Sequence, residues 1–299
     1  MSSSVIINDF LNYLQYERRM SIHTIVSYQN DLQQYEEYLQ ENYAGTEVAA
    51  ADPVMIRSWM LEMVDSSLTA KTISRKLSAL RAFYRFLLKK KIVHKNPLEG
   101  ISAPKLAKRL PQFVDENEMN QLFNEDLFEN SFEGWRDRLI FELFYATGMR
   151  LSELTHLTFA SIDLYESQIK VLGKRNKQRI IPFSPRLGQI ITTYFEFFEE
   201  KYGKVNKNCC IFVDSKMNGI YPKAVYRIVR KYLDMVTTID KRSPHVLRHT
   251  FATHLLNHGA DIYAIKEILG HSSLVATQVY THNSIEKLKN IYNQAHPRA

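Results

Sequence analysis

Ser243-Pro244-His245-Val246-Leu247-Arg248-His249 has the make-up of a helix start that can hold an anion. Ser243 suits the N-cap and Pro244 the first helical position, so His245 and Arg248, three apart, share a face of the first turn. Unpaired backbone N–H groups and the positive end of the helix dipole lie there, and a guanidinium adds a fork of donors. The same two residues would serve equally well as a surface pair on any helix start. Earlier, Ala146-Thr147-Gly148-Met149-Arg150-Leu151-Ser152-Glu153-Leu154 sets Arg150 just past a helix-ending glycine. Ser152 could cap the next turn there, and Glu153 is close enough to hold the guanidinium, although a purely structural Arg–Glu pair reads the same way. Lys174 tips the turn Gly173-Lys174-Arg175-Asn176-Lys177-Gln178, where an ammonium could reach a ligand, with Arg175 and Lys177 beside it. Gly270 closes a helix that begins near Asp261 and leaves His271 at the turn, as a donor or as a simple dipole partner. Tyr280 follows nine residues later, one of seventeen tyrosines, and nothing local distinguishes it.

Seven of the ten histidines fall after residue 240, and His245/His249 and His254/His258 are spaced i, i+4, as metal ligands on a helix can be. There is no H-E-x-x-H, no cysteine partner and no nearby carboxylate cluster, so a metal-dependent nuclease is disfavoured and no metal or cofactor is expected.

These residues need elements to position them. The first ninety residues carry four helical patterns: Val5–Arg18 with Ile6, Phe10, Tyr13 and Leu14; Ser21 to Glu41 with Tyr28, Leu32, Tyr35 and Leu39; a third opened by Asp52-Pro53 with Ile56, Trp59 and Met60; and Thr69–Lys91. In the fourth, Lys71, Arg75, Arg81, Arg85 and Lys89 fall within an arc of roughly 120°, opposite Ile73, Leu77, Leu80, Phe83, Tyr84 and Leu87. That basic face has no acid within its own helix, so contact with nucleic-acid phosphates explains it better than salt-bridge lacing. Residues 95–112 combine three prolines, a glycine and four Lys/Arg without helical spacing and read as a basic linker. Beyond it, Asp115-Glu116-Asn117-Glu118 suggests a capping box, and an apolar helix at about 134–146 stops at Gly148. Three short strands follow at Ser161–Leu164, Gln168–Leu172 and Gln178–Phe183, then helical patterns to the end. The expected fold is mainly α: a helical N-terminal domain (1–94) and an α-rich domain with a small antiparallel sheet (113–299).

Composition agrees with a folded protein acting on a polyanion. The formal charge of +7 is uneven: residues 1–68 hold three Lys/Arg against ten acids, whereas residues 69–110 hold twelve against Glu99 alone. Two cysteines, Cys209 and Cys210, cannot build a disulfide framework, and the sequence offers no leader and no membrane-length apolar run, which together read as a soluble cytoplasmic protein.

The order Arg, turn Lys, H-x-x-R, G-H and then Tyr, with the strings YATGMRLSEL, GKRNKQRIIP, SPHVLRHTFATHLLNHGADI and IKEILGHSSLVATQVYTH, resembles the tyrosine recombinase (phage integrase) family, and within it the Xer type. The resemblance covers nearly the whole chain. It implies a four-helix, SAM-like core-binding domain followed by a catalytic domain of the DNA breaking-rejoining fold. It also implies Arg150, Lys174, His245, Arg248, His271 and Tyr280 as catalytic residues: Tyr280 the nucleophile, Lys174 the acid for the leaving group, His245 the acid/base partner, His271 a phosphate donor. Glu153 matches a family position and reads as structural. Implied partners are double-stranded DNA at a specific site, a homo- or hetero-tetramer of recombinases and an FtsK-type translocase. The task would be resolution of chromosome dimers at a dif-like site, in the nucleoid. In the family the final helix docks on a neighbouring subunit, and Ile285, Leu288 and Ile291/Tyr292 give it an apolar stripe here; docking on its own subunit is the alternative. An integrase or transposase of a mobile element, a type IB topoisomerase and a non-enzymatic DNA-binding protein are the competing readings.

Overall fold

The computed structural model describes residues 2–104, 112–124, 127–173, 178–204, 206–270 and 294–298. The chain forms two compact units, Met1–Arg109 and Leu110–Ala299, each with its own core.

The first unit contains α1 (Ser3–Asn12), continued by a π-helical turn over Tyr13–Glu17, then α2 (Ile22–Asn42), α3 (Pro53–Asp65) and α4 (Ala70–Lys89). Local chemistry sets their starts. The Ser21 and Thr69 hydroxyls accept from the N–H groups of Thr24 and Thr72, and Asp52 accepts from Val54 and Met55 ahead of Pro53. Ile73, Leu77, Leu80, Phe83, Tyr84 and Leu87 of α4 are all at most 1% exposed. At about 1.5–3 kcal/mol for each large apolar side chain, that burial fixes the rotation of α4 and leaves its other side outward. The stretch read as a linker begins as part of this unit: Leu98 and Ile101 are buried in its core, and the Ile101 carbonyl accepts from Arg81 at 2.7 Å.

The second unit opens with α5 (Glu116–Asn124), whose start is a reciprocal cap: Asp115 accepts from the Asn117 N–H, and Glu118 accepts from the Asp115 N–H. The helix α6 (Phe132–Thr147) is buried almost all round, as central helices are. It ends at Gly148, in the left-handed region at φ 57°, where an added Cβ would stand 2.4 Å from the Phe251 ring. After the short α7 (Leu151–Thr155), β1 (Ile162–Asp163), β2 (Gln168–Leu172) and β3 (Gln178–Pro182) form an antiparallel sheet in that order, with Ile169 opposite Ile181 and Val171 opposite Arg179. Then come α8 (Pro185–Tyr202), α9 (Pro222–Val236), α10 (Pro244–Asn257) and α11 (Ile262–Leu269).

Residues 295–298 sit in a socket of this same unit. The Arg298 guanidinium pairs with Glu142 of α6 at 2.7 Å, both buried, and lies 4.0 Å over the Phe123 ring. His296 Nε2 donates to the Tyr145 carbonyl at 3.0 Å, its Nδ1 accepts from the Arg298 N–H, and the Ser184 hydroxyl donates to the Arg298 carbonyl. Burial, against the pull of the Tyr145 carbonyl, brings His296 down to about 4. The final residues therefore dock within their own unit, and the Ile285, Leu288 and Ile291/Tyr292 stripe lies outside the described residues.

Candidate active site

Arg150 lies just past the turn that Gly148 makes at the end of α6, as the sequence suggests. It is itself the residue before α7, and the cap comes from Glu153, whose Oε2 accepts from the Arg150 N–H at 2.8 Å, rather than from Ser152. Glu153 Oε1 accepts from Arg150 Nη1 at 2.8 Å. The helix α10 begins at Pro244, with His245 exposed and Arg248 half-buried in its first turn. Ser243 occupies the N-cap position, but its side chain makes no capping hydrogen bond; its carbonyl accepts from Val246 instead.

What gathers the arginines is the far end of α11. The last carbonyls of a helix have no partner within it and carry the negative end of its dipole. Here three guanidiniums take three successive ones: Arg179 Nε donates to Ile268 at 2.9 Å, Arg248 Nη2 to Leu269 at 2.6 Å and Arg150 Nη2 to Gly270 at 3.1 Å. Arg248 also donates to the Gly148 carbonyl, which ties the end of α6 to α10. Arg179 closes the network by gripping both oxygens of Glu153 at 2.7 and 2.8 Å. Sequence reasoning passed over Arg179, because either parity of the strand from 178 to 183 offers apolar residues to the interior.

The electrostatics follow from that crowding. Burial pushes the Glu153 carboxyl up, but the hydrogen bonds and charge of Arg179, followed by those of Arg150, overcome this and hold it at about 2. Burial, then repulsion from Arg150 and Arg179, lowers Arg248 to about 10, with Glu153 opposing. Three guanidiniums surround the single carboxylate of Glu153, so the cluster has an excess of positive charge. Arg150 keeps 32% of its side chain exposed. The result is a preorganised double-guanidinium face for an oxyanion such as a phosphodiester. Lys174, His271 and Tyr280 lie outside the described residues; His271 follows Gly270 directly in the chain. Of the other histidines, His254 is buried with Nδ1 at 2.8 Å from the Tyr145 hydroxyl, and His258 lies 3.5 Å from Glu116.

The five residues read as the basic face of α4, Lys71, Arg75, Arg81, Arg85 and Lys89, do not share one environment. Lys71 and Arg85 are exposed and, among the described residues, have no acidic partner. Acids absent from α4 itself arrive from its neighbours: Asp31 pairs with Arg75, and Glu17 lies 3.4 Å from Lys89. Arg81 is half-buried on the Ile101 carbonyl. Asp31 also takes Lys76, a cation buried beneath the basic face. A second basic stripe, Lys223, Tyr226, Arg227 and Arg230, runs along the exposed side of α9 at i, i+3, i+4, i+7 and was not singled out from the sequence.

The chain matches the family model described as phage integrase family over residues 112–287, and that of the phage integrase N-terminal SAM-like domain over residues 7–91. It is 38% identical over 320 residues to tyrosine recombinase XerC of Chlorobaculum tepidum, covering 98% of this chain and 94% of that one. It is 35% identical over 295 residues to tyrosine recombinase XerD of Staphylococcus aureus, covering 98% and 99%. Among solved structures it is similar to XerH site-specific recombinase bound to palindromic difH substrate in a post-cleavage complex, with a TM-score of 0.71 over 94% of this chain and 78% of that one. At 20% identity that last likeness is one of fold.

Proposed function

The chain belongs to the phage integrase family as a Xer-type tyrosine recombinase, a site-specific DNA recombinase, and from that premise we propose that it cuts DNA through a covalent link between Tyr280 and a 3′-phosphate. The observation that carries this reading is the convergence of Arg150 and Arg248 on the end of α11, one residue before His271. The Tyr280 oxygen forms the new bond to phosphorus as the bond to the 5′-oxygen breaks. The tyrosine proton passes to a base, for which His245 is the candidate, and Lys174 protonates the leaving 5′-oxygen. Arg150, Arg248 and His271 bind the non-bridging oxygens, on which negative charge grows. The aryl phosphate keeps the energy of the original ester, so rejoining is the same step reversed and needs no nucleotide.

Double-stranded DNA carrying a specific site is the substrate in this reading. Lys71, Arg75, Arg81, Arg85 and Lys89 contact it from the first unit and the α9 stripe from the second. The working assembly in this reading is a homo- or hetero-tetramer of recombinases on two sites. The task is chromosome-dimer resolution at a dif-like site in the cytoplasmic nucleoid, alongside an FtsK-type translocase. Among the described residues no helix is long and apolar enough to cross a membrane. On a nicked suicide duplex, wild-type protein should accumulate covalent adduct and Tyr280→Phe none; adduct from Tyr280→Phe would refute the nucleophile. A 5′-thio leaving group should rescue Lys174→Ala, and failure there would remove the general-acid role. Footprinting of genomic DNA should find the site near the replication terminus; protection confined to a mobile element would assign the chain to that element instead.

A further inference from the structure

Arg179 is the guanidinium of the cluster that a phosphate does not reach. It is 5% exposed, and Nε, Nη1 and Nη2 are all committed, to the Ile268 carbonyl and to the two oxygens of Glu153. One of its partners also holds Arg150, and the other belongs to the helix end that holds Arg248. Glu153 Oε1 is shared with Arg150 Nη1. The helix end that Arg179 holds at Ile268 offers its next two carbonyls to Arg248 and Arg150. We infer that Arg179 is a positioning residue for strand cleavage: from β3 it locks Glu153 and the end of α11 together, so that Arg150 and Arg248 meet the phosphate in a fixed orientation. This rests on the reading of Arg150 and Arg248 as phosphate ligands.

The charge arrangement gives the reason for a third arginine. With Arg179 absent, Glu153 would keep Arg150 as its sole ion-pair partner, in competition with the phosphate for the same guanidinium. The Ile268 carbonyl would also lose its donor and the end of α11 one of its three tethers. A displacement of about 1 Å in a reacting constellation can cost roughly 100-fold in rate. Arg179 lies five residues after Lys174 in the chain, and the strand it anchors begins at Gln178.

The test compares wild type with Arg179→Met, Arg179→Lys, Glu153→Gln and the Arg179→Met/Glu153→Gln pair for adduct formation on a nicked suicide duplex, with duplex binding and thermal melting measured in parallel. Arg179→Met should bind DNA within about threefold of wild type yet form adduct roughly 100-fold more slowly. Its rate relative to wild type should climb as pH is lowered from about 8 to about 5, because Glu153, freed from Arg179, is then protonated and releases Arg150. Arg179→Lys keeps the charge, but one ammonium cannot serve both Glu153 and the Ile268 carbonyl, so it should melt between Arg179→Met and wild type and still cleave roughly tenfold more slowly than wild type. The double variant removes a buried ion pair as a unit and should recover melting, yet cleave at least about tenfold more slowly than Glu153→Gln alone. Wild-type cleavage by folded Arg179→Lys, or a double variant as fast as Glu153→Gln, would reduce Arg179 to a counter-ion and overturn the inference. Absence of adduct from wild type itself would overturn the phosphate site and this inference with it.

Discussion

The outer face of α4 and the end of α11 both gather positive charge, and they do so by opposite means. On α4 the cations are spread along a helix surface: Lys71 and Arg85 stand in solvent, while Arg75 and Lys89 borrow acids from Asp31 and Glu17. At α11 three guanidiniums converge from three other elements, each on a backbone carbonyl, around the single carboxylate of Glu153. The first arrangement suits a long polyanion met at many weak points. The second suits one tetrahedral anion held hard. Position along a helix produces the former, whereas only tertiary folding produces the latter.

If that contrast is right, the largest effect belongs to the converged site. Arg248→Ala should slow adduct formation by about 1000-fold while leaving duplex affinity within about fivefold, since it removes a donor that matters most in the transition state. A comparable loss of affinity would make Arg248 an ordinary binding cation and dissolve the distinction. The second test is acid stability. The Glu153 carboxyl is held at about 2 against an ordinary 4.5, so its contribution, about 3 kcal/mol, is complete above pH 4.5 and is lost as pH falls toward 2. In acid titrations followed by circular dichroism, Glu153→Gln should be less stable than wild type at neutral pH and lose less stability over that window. Third, Glu142→Ala should lower the stability of the second unit by about 2–3 kcal/mol in chemical denaturation, near the low end for a broken buried pair because Arg298 can move into water. Smallest is the α4 face: Lys71→Ala or Arg85→Ala should weaken binding almost equally on specific and random duplexes. Each should reduce the slope of log affinity against log salt by about one.

The difference between the regions also explains what could be read from the sequence. The periodicity of residues 69–91 gives α4, its buried side and its basic side directly, because all of that information is local. What periodicity omits is the acids of α2 and the π-helical turn, which reach over and make Arg75 and Lys89 partly structural. In the second unit, Gly148 and Pro244 mark where Arg150 and the α10 start must fall, and the structure puts both there. Arg179 was not legible. The strand from 178 to 183 has an isoleucine on each parity, so its inward face is fixed only by the pairing of Val171 with Arg179 and Ile169 with Ile181. A buried arginine needs a partner, and here the partner, Glu153, is 26 residues away. The Glu142–Arg298 pair, 156 residues apart, lies further still beyond any local pattern.

That long-range pair has a consequence for how the protein comes into being. Glu142 and Tyr145 sit at the middle of the second unit, yet the groups that satisfy them belong to residues 296 and 298. During synthesis α6 can collapse with α8 and α10, but a carboxylate buried there lacks its counter-charge until Arg298 has left the ribosome. The helix end at Gly148, to which Arg248 is tied, belongs to that same α6. Burial of α6 and arrival of residues 296 and 298 are thereby coupled, and a polypeptide lacking those residues would leave its central helix without these partners.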